Sequence, residues 1–159
     1  MALLEYSGEQ VTNQDQIRVL LNEHGITAEF WGTKASDQAS DDEVLNIYKE
    51  EIDRLNSLHG YVSADVVSLS EKTENLDALL DKFKQEHHHS DDEVRFTISG
   101  QGVFEIRSKE GKMLKITTDP GDLIVVPKGR KHLFYLTDKR NIRCVRLFKD
   151  TSGWEALFD

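Results

Sequence analysis

Residues 94–148 read VRFTISGQGVFEIRSKEGKMLKITTDPGDLIVVPKGRKHLFYLTDKRNIRCVRLF, and this stretch decides the fold class. It divides into strand-length runs rich in β-branched and aromatic residues: 94–99 (VRFTIS), 103–108 (VFEIRS), 112–117 (KMLKIT), 123–126 (LIVV), 132–137 (HLFYLT) and 142–148 (IRCVRLF). Between the runs stand Gly100-Gln101-Gly102, Glu110-Gly111, Asp119-Pro120-Gly121, Pro127-Lys128-Gly129 and Thr137-Asp138. Short strands at such even spacing, each bounded by turn residues, predict an antiparallel sandwich or barrel. Both prolines, Pro120 and Pro127, fall in the turns, where a missing N–H costs least.

Upstream the period becomes helical. Thr12-Asn13 offers capping side chains before Ile17, Leu20 and Leu21, and the run ends at His24-Gly25. Ser40 with Glu43 three residues on is a capping-box pattern. It opens one helix through Val44, Ile47, Tyr48, Ile52 and Leu55, closed by His59-Gly60. A shorter helix carries Leu76, Leu79, Leu80 and Phe83, and residues 61–69 (YVSADVVSL) between them read as an edge strand. His24 and His59 each precede a glycine at a helix end, where an imidazole meets free carbonyls and the negative end of the dipole.

At 159 residues the chain suits one domain, with roughly 68–70% of its unfolded surface buried on folding. Lys plus Arg is 20 against 29 Asp plus Glu, a net charge of -9 with no basic run, which argues against a nucleic-acid partner. No segment approaches 18 consecutive apolar residues, so no membrane span is expected. MALLEYSGEQ at the start lacks the basic and apolar parts of a signal peptide. The single Cys144 excludes an internal disulfide and a cysteine zinc site. It is expected to behave as a small buried hydrophobe. These features together predict a cytoplasmic globular protein.

The chemistry concentrates in Glu86-His87-His88-His89-Ser90-Asp91-Asp92-Glu93. In an extended segment alternate side chains share a face, so His87 and His89 point together, about 6–7 Å apart, and His88 points away. Ser90-Asp91-Asp92 is turn-like, so Glu93 opens the next strand and returns toward the same point. His132 follows a Pro-x-Gly turn on a later strand. Three imidazoles and one carboxylate are a ligand set for divalent iron, nickel, cobalt or manganese, leaving two of about six octahedral positions open. The bland alternative is a pair of solvated histidines beside a turn, and it loses ground once Glu93 and His132 join the set.

His87-x-His89-x3-Glu93-x6-Gly100 and Gly121-x5-Pro127-x-Gly129-x2-His132 resemble the two motifs of the cupin superfamily. Asp81 and Leu136 depart from that pattern, at positions that ligate nothing. More narrowly, Glu86-His-x-His-x2-Asp92-Glu93-Val94-Arg95-Phe96 followed by Gly100-x-Gly102 resembles the acireductone dioxygenase family. The likeness extends to Leu20 through Ile26, the helix around Tyr48 to Leu55, and Phe148 to Trp154, which is nearly the whole chain.

The resemblance implies a mainly β fold, a cupin double-stranded β-helix (jelly-roll-like) barrel with N-terminal helices packed outside. Helical cover would span about 1–86 and the metal-binding core about 87–150 of a single domain, 1–159. It implies a monomeric oxidoreductase of methionine salvage that binds one Fe2+ or Ni2+ through His87, His89, Glu93 and His132, with Co2+ or Mn2+ as substitutes. Its reactants would be a small-molecule acireductone and O2. The iron form would yield formate and 4-methylthio-2-oxobutanoate. The nickel form would yield carbon monoxide, formate and 3-methylthiopropionate.

Arg95 shares the face of Glu93 and is the expected catalytic anion clamp. Phe134 shares the face of His132. Arg146 shares a face with Ile142, Cys144 and Phe148. Arg95, Phe134, Arg146 and Trp154 are the expected substrate contacts. The alternatives are structural ion pairs for the two arginines and plain core for the two aromatics. Another cupin metalloenzyme and a non-catalytic metal-binding cupin are the rival readings for the whole chain.

Overall fold

A computed structural model of the protein describes residues 2–149 and 156–158. The described elements run β1 (Leu3–Tyr6), β2 (Glu9–Val11), α1 (Gln14–Glu23), β3 (Thr27–Phe30), α2 (Asp41–Ile47), α3 (Lys49–His59), β4 (Ser63–Leu69) and α4 (Leu76–Lys84). They continue with β5 (Glu93–Gly100), β6 (Gly102–Arg107), β7 (Met113–Thr118), β8 (Asp122–Val126), β9 (His132–Leu136) and β10 (Ile142–Phe148). All six strands expected after residue 93 are present. They fall into two antiparallel five-stranded sheets, ordered β2-β1-β7-β6-β9 and β3-β8-β5-β10-β4. The fold is mainly β and jelly-roll-like, as expected.

Local chemistry starts and stops the helices. Asn13 caps α1, its side chain accepting from the Gln16 N–H at 3.0 Å. Ser40 and Glu43 form the expected capping box: Ser40 Oγ accepts from Glu43 N and Glu43 Oε1 accepts from Ser40 N. The single helix expected from Ser40 to His59 is two, α2 and α3, broken at Tyr48. That ring is buried, and its hydroxyl accepts from Lys34 N at 2.7 Å and donates to Gly32 O at 3.0 Å. The backbone turns where this anchor holds it.

The N-terminal half departs further from a helical cover. Beyond the expected edge strand, β4 on β10, it supplies β1 and β2 to the first sheet and β3 to the second. Leu4 pairs with Ile116 of β7, and Ala28 pairs with Ile124 of β8. Partners far along the chain, rather than local periodicity, make these segments strands.

One apolar cluster lies between the sheets, including Leu4, Phe104, Ile116, Ile124, Phe134 and Cys144. A second joins the outer face of β5, β8 and β10 (Val94, Phe96, Leu123, Val145, Leu147) to Val44, Tyr48, Ile52 and Leu55 of the α2–α3 region. The second sheet is therefore buried on both faces, which is why β8 reads as the unbroken run LIVV and is buried throughout. Each such fully buried side chain contributes about 1.5–3 kcal/mol. Where β5 bends against a bulge at Arg143/Cys144, Gly100 has φ +76° and a Cβ there would stand 2.1 Å from Asn141 O, so glycine is required. Among the described residues no helix is long and apolar enough to cross a membrane.

Candidate metal centre

After α4 the chain runs extended beside β9. His87 N donates to His132 O and His132 N donates to His87 O, each at 2.9 Å. This two-bond bridge sets the rings of His87 and His132 with centroids 4.6 Å apart, and His89 lies 5.2 Å from both. All three histidines are buried, and one ligand nitrogen from each lies within 4.8 Å of the others. His88 turns away and bridges through its backbone to Leu157.

Glu93 opens β5 after the 90–92 turn, as its position predicts. Its Oε2 lies 2.6 Å from His132 Nε2 and 3.5 Å from His89 Nε2. Donors about 2.1 Å from one ion and at right angles to each other are about 3.0 Å apart. The two separations bracket that figure. Oε2 of Glu93 and Nε2 of His132 are buried and lack a hydrogen-bond partner of proper geometry. Buried polar atoms converging this closely on one point, with no hydrogen bond of proper geometry between them, fit a cation among them.

The outer nitrogens are committed. His87 Nδ1 is 2.8 Å from Gln85 O, and His132 Nδ1 is 2.9 Å from Arg130 O. A carbonyl is satisfied only by a proton on Nδ1, which in the neutral ring leaves each Nε2 as a lone pair for ligation. Burial lowers the pKa of His87, favouring the neutral ring that a ligand requires. Burial alone would raise the Glu93 carboxyl, but His132, His89 and Arg95 hold it well below the usual range, so it is a carboxylate. Burial disfavours charge on His132, yet the Glu93 carboxylate outweighs it and raises that pKa.

Arg95, two residues along β5, donates from Nε to Glu93 Oε1 at 3.1 Å, and its guanidinium carbon stands 5.9 Å from the Phe134 ring centroid. Phe134 is buried and packs on Phe104 at 4.9 Å. Arg146 lies directly across from Arg95 in the register of β10 and β5. On its other side it grips Asp65 of β4 with two bonds, Nε to Oδ1 at 2.8 Å and a terminal nitrogen to Oδ2 at 2.6 Å. The ion pair considered for Arg146 is therefore present. Trp154 lies outside the described residues. His24 and His59 stay at their helix ends, outside the cluster of His87, His89 and His132, and His24 Nδ1 accepts from Lys109 N.

Three participants escape a reading of the sequence alone. Asp65 carries no signal except a charge on an edge strand, and only the pairing of β4 with β10 brings it to Arg146. Tyr61, whose hydroxyl meets Asp92, reads there as the start of that strand. Phe158, with its ring 5.6 Å from that of His87, lies beyond every motif.

Comparison with known proteins places the chain in a family. A family model described as the ARD/ARD′ family matches residues 4–156. The acireductone dioxygenase of Sulfurihydrogenibium sp. strain YO3AOP1 is 38% identical over 163 residues, covering 96% of this chain and 90% of that one. The acireductone dioxygenase of Bacillus licheniformis is 38% identical over 172 residues, covering 100% of this chain and 96% of that one. The solved acireductone dioxygenase of Bacillus anthracis, with a cadmium ion in its active centre, superposes with a TM-score of 0.91 at 36% identity, covering 99% of this chain and 98% of that one. With a family model, full-length relatives and a solved structure all in agreement, the chain belongs to the acireductone dioxygenase (ARD/ARD′) family.

Proposed function

We propose that the protein cleaves 1,2-dihydroxy-3-keto-5-methylthiopentene with O2 in methionine salvage. With iron the products are formate and 4-methylthio-2-oxobutanoate; with nickel they are carbon monoxide, formate and 3-methylthiopropionate. The observation that carries this reading is the convergence of His87, His89 and His132 on the Glu93 carboxylate, with Arg95 bonded to that same carboxylate.

His87, His89, Glu93 and His132 hold the divalent ion. Bound there, the ion would supply Lewis acidity toward the oxygens of an ionised enediol. One carboxylate against a divalent charge leaves the centre net positive, which suits an anionic substrate. The chain as a whole carries -9, so recruitment rests on this local field and not on long-range steering. Arg95 donates a charge-assisted hydrogen bond to the substrate oxyanion and stays aimed by its bond to Glu93. Phe134 forms an apolar wall that excludes water, and Arg146, its charge balanced by Asp65, stands in the neighbouring row with a guanidinium fixed in place. An acireductone ionises readily, so no strong protein base is required.

The test generates the acireductone anaerobically and mixes it with iron- or nickel-loaded protein and O2 while the enediolate absorbance is followed. Rapid, oxygen-dependent loss with formate release is expected, with carbon monoxide from the nickel form alone. Decay no faster than the uncatalysed oxidation, with metal confirmed bound, refutes the assignment. Alanine in place of each of His87, His89, Glu93 and His132 in turn lowers metal content. Full occupancy in three of the four variants refutes the ligand set.

A further inference from the structure

Asp92 lies between the ligands His89 and Glu93, and its carboxylate is used twice. Oδ2 accepts from the Tyr61 hydroxyl at 2.8 Å, and Oδ1 accepts from the Lys128 N–H at 2.9 Å. Tyr61 is buried, within the apolar cluster on the outer face of the second sheet. Lys128 belongs to the turn joining β8 to β9. In that same turn Gly129 N donates to His89 O at 2.9 Å, and Arg130 O meets His132 Nδ1 at 2.9 Å. One turn therefore reaches the backbone of one ligand and the ring of another. Asp92 is the side chain that ties this turn, and the core beneath it, to the segment carrying His89 and Glu93. Apart from it, the 90–92 turn has a short internal bond, Asp92 N to Asp91 Oδ1 at 2.8 Å, which fixes nothing outside itself.

We propose that Asp92 is a positioning residue: its two-pronged carboxylate sets the spacing of His89 and Glu93 against His132, and through it the affinity of the centre for its divalent ion. The proposal rests on the ligand set given above, and not on the identity of the substrate. A rival explanation is that Asp92 merely adds negative charge near the cation. Asparagine separates the two, because its Oδ1 accepts from Lys128 N and its Nδ2 donates to the Tyr61 oxygen, keeping both contacts without the charge.

The experiment titrates Co2+ into full-length metal-free protein, reading affinity by calorimetry and ligand geometry by the visible absorption of bound cobalt. The circular dichroism of each metal-free form checks folding. Asp92→Ala is expected to bind Co2+ about 10–100-fold more weakly and with an altered cobalt spectrum. Asp92→Asn is expected within about threefold of wild type, and Tyr61→Phe about three- to tenfold weaker. Wild-type affinity in Asp92→Ala overturns the proposal. Equal losses in Asp92→Ala and Asp92→Asn also overturn it, in favour of charge. If Asp92→Ala does not fold, Tyr61→Phe decides: weaker binding with a native fold supports the proposal, and unchanged affinity overturns it. Wild-type protein that binds no Co2+ refutes the ligand set and this proposal together. Wild-type protein that binds Co2+ in an Asp92-dependent way but does not consume acireductone refutes only the assigned activity.

Discussion

Gly102 sits where β6 passes under the ring of Phe134, and replacing it with alanine probes the wall of the centre without touching a ligand. A Cβ at this position would stand 2.6 Å from Cε2 of Phe134 and 2.8 Å from Cδ1 of Ile142. Carbon atoms pack at about 3.5–4.0 Å, so the ring must move by roughly 1 Å. Phe134 is buried between Phe104 and the Arg95 guanidinium and has little room to yield. Overpacking of this kind costs about 1–3 kcal/mol. Alanine recovers about 0.5–1 kcal/mol of backbone entropy relative to glycine. The net loss is centred on about 1 kcal/mol and is at most about 2.5 kcal/mol, or up to roughly 10 °C in Tm for a chain of this length.

The assay is a thermal double-mutant cycle on metal-free protein, crossing Gly102→Ala with Phe134→Leu. The shorter leucine clears the new methyl on the Phe134 side while the close approach to Ile142 Cδ1 remains, so the cost of Gly102→Ala is expected to shrink in that background, a coupling of about 1 kcal/mol. Because the displaced ring moves against Arg95, kcat/KM is expected to fall while metal content holds. An equal loss of Tm in both backgrounds would refute the reasoning.

Arg95→Ala is expected to keep its metal and lose about 10²–10³-fold in kcat/KM, measured by the enediolate assay together with metal analysis; loss of metal would make the residue structural. Ser40→Ala removes half of the capping box and is expected to cost about 1 kcal/mol in urea unfolding, with no effect on metal affinity. Burial alone would raise the Glu29 carboxyl, but hydrogen bonds from Arg54 and Trp31 hold it below its ordinary value. That contribution is present above the unfolded carboxyl's pKa of about 4.3 and is lost as pH falls through the lower folded value. The Tm gap between wild type and Glu29→Gln is therefore expected to be largest near neutrality and to close below about pH 4, and at most about 1 kcal/mol is at stake because Arg54 is largely exposed. A gap that is independent of pH would refute the assignment.

The strands β5 to β10 were legible because each carries its own pattern and ends at a glycine, proline or aspartate. The segments LLEY, EQV and TAEF were not, since each has only three or four residues, half of them polar. They become strands because β7 and β8 offer them backbone partners. The break at Tyr48 was hidden for a different reason. The apolar spacing keeps its phase from Val44 through Ile52 across the break, so a pattern of side chains cannot report a turn of the backbone. At the centre, the four proposed ligands announce themselves because alternation and one turn bring three of them together locally. The pairing of Arg146 with Asp65 joins residues far apart in sequence and depends on which strand lies beside β10, a fact of topology alone.

The pairing of β1 with β7 and of β3 with β8 bears on how the chain is made. Leu4 must find Ile116 and Thr27 must find Val125, about a hundred residues downstream in each case. At about 5–20 residues per second, these first strands wait on the order of 5–20 s before their partners leave the ribosome. Helix α1, which rests on β3 and on the same interior cluster, waits with them. Contacts so distant in sequence also close slowly once they become possible, on the order of milliseconds to seconds. The segments translated first are thus placed last, and in a nascent chain it is their apolar faces, Leu3, Leu4, Ile17 and Leu21 among them, that a chaperone would meet.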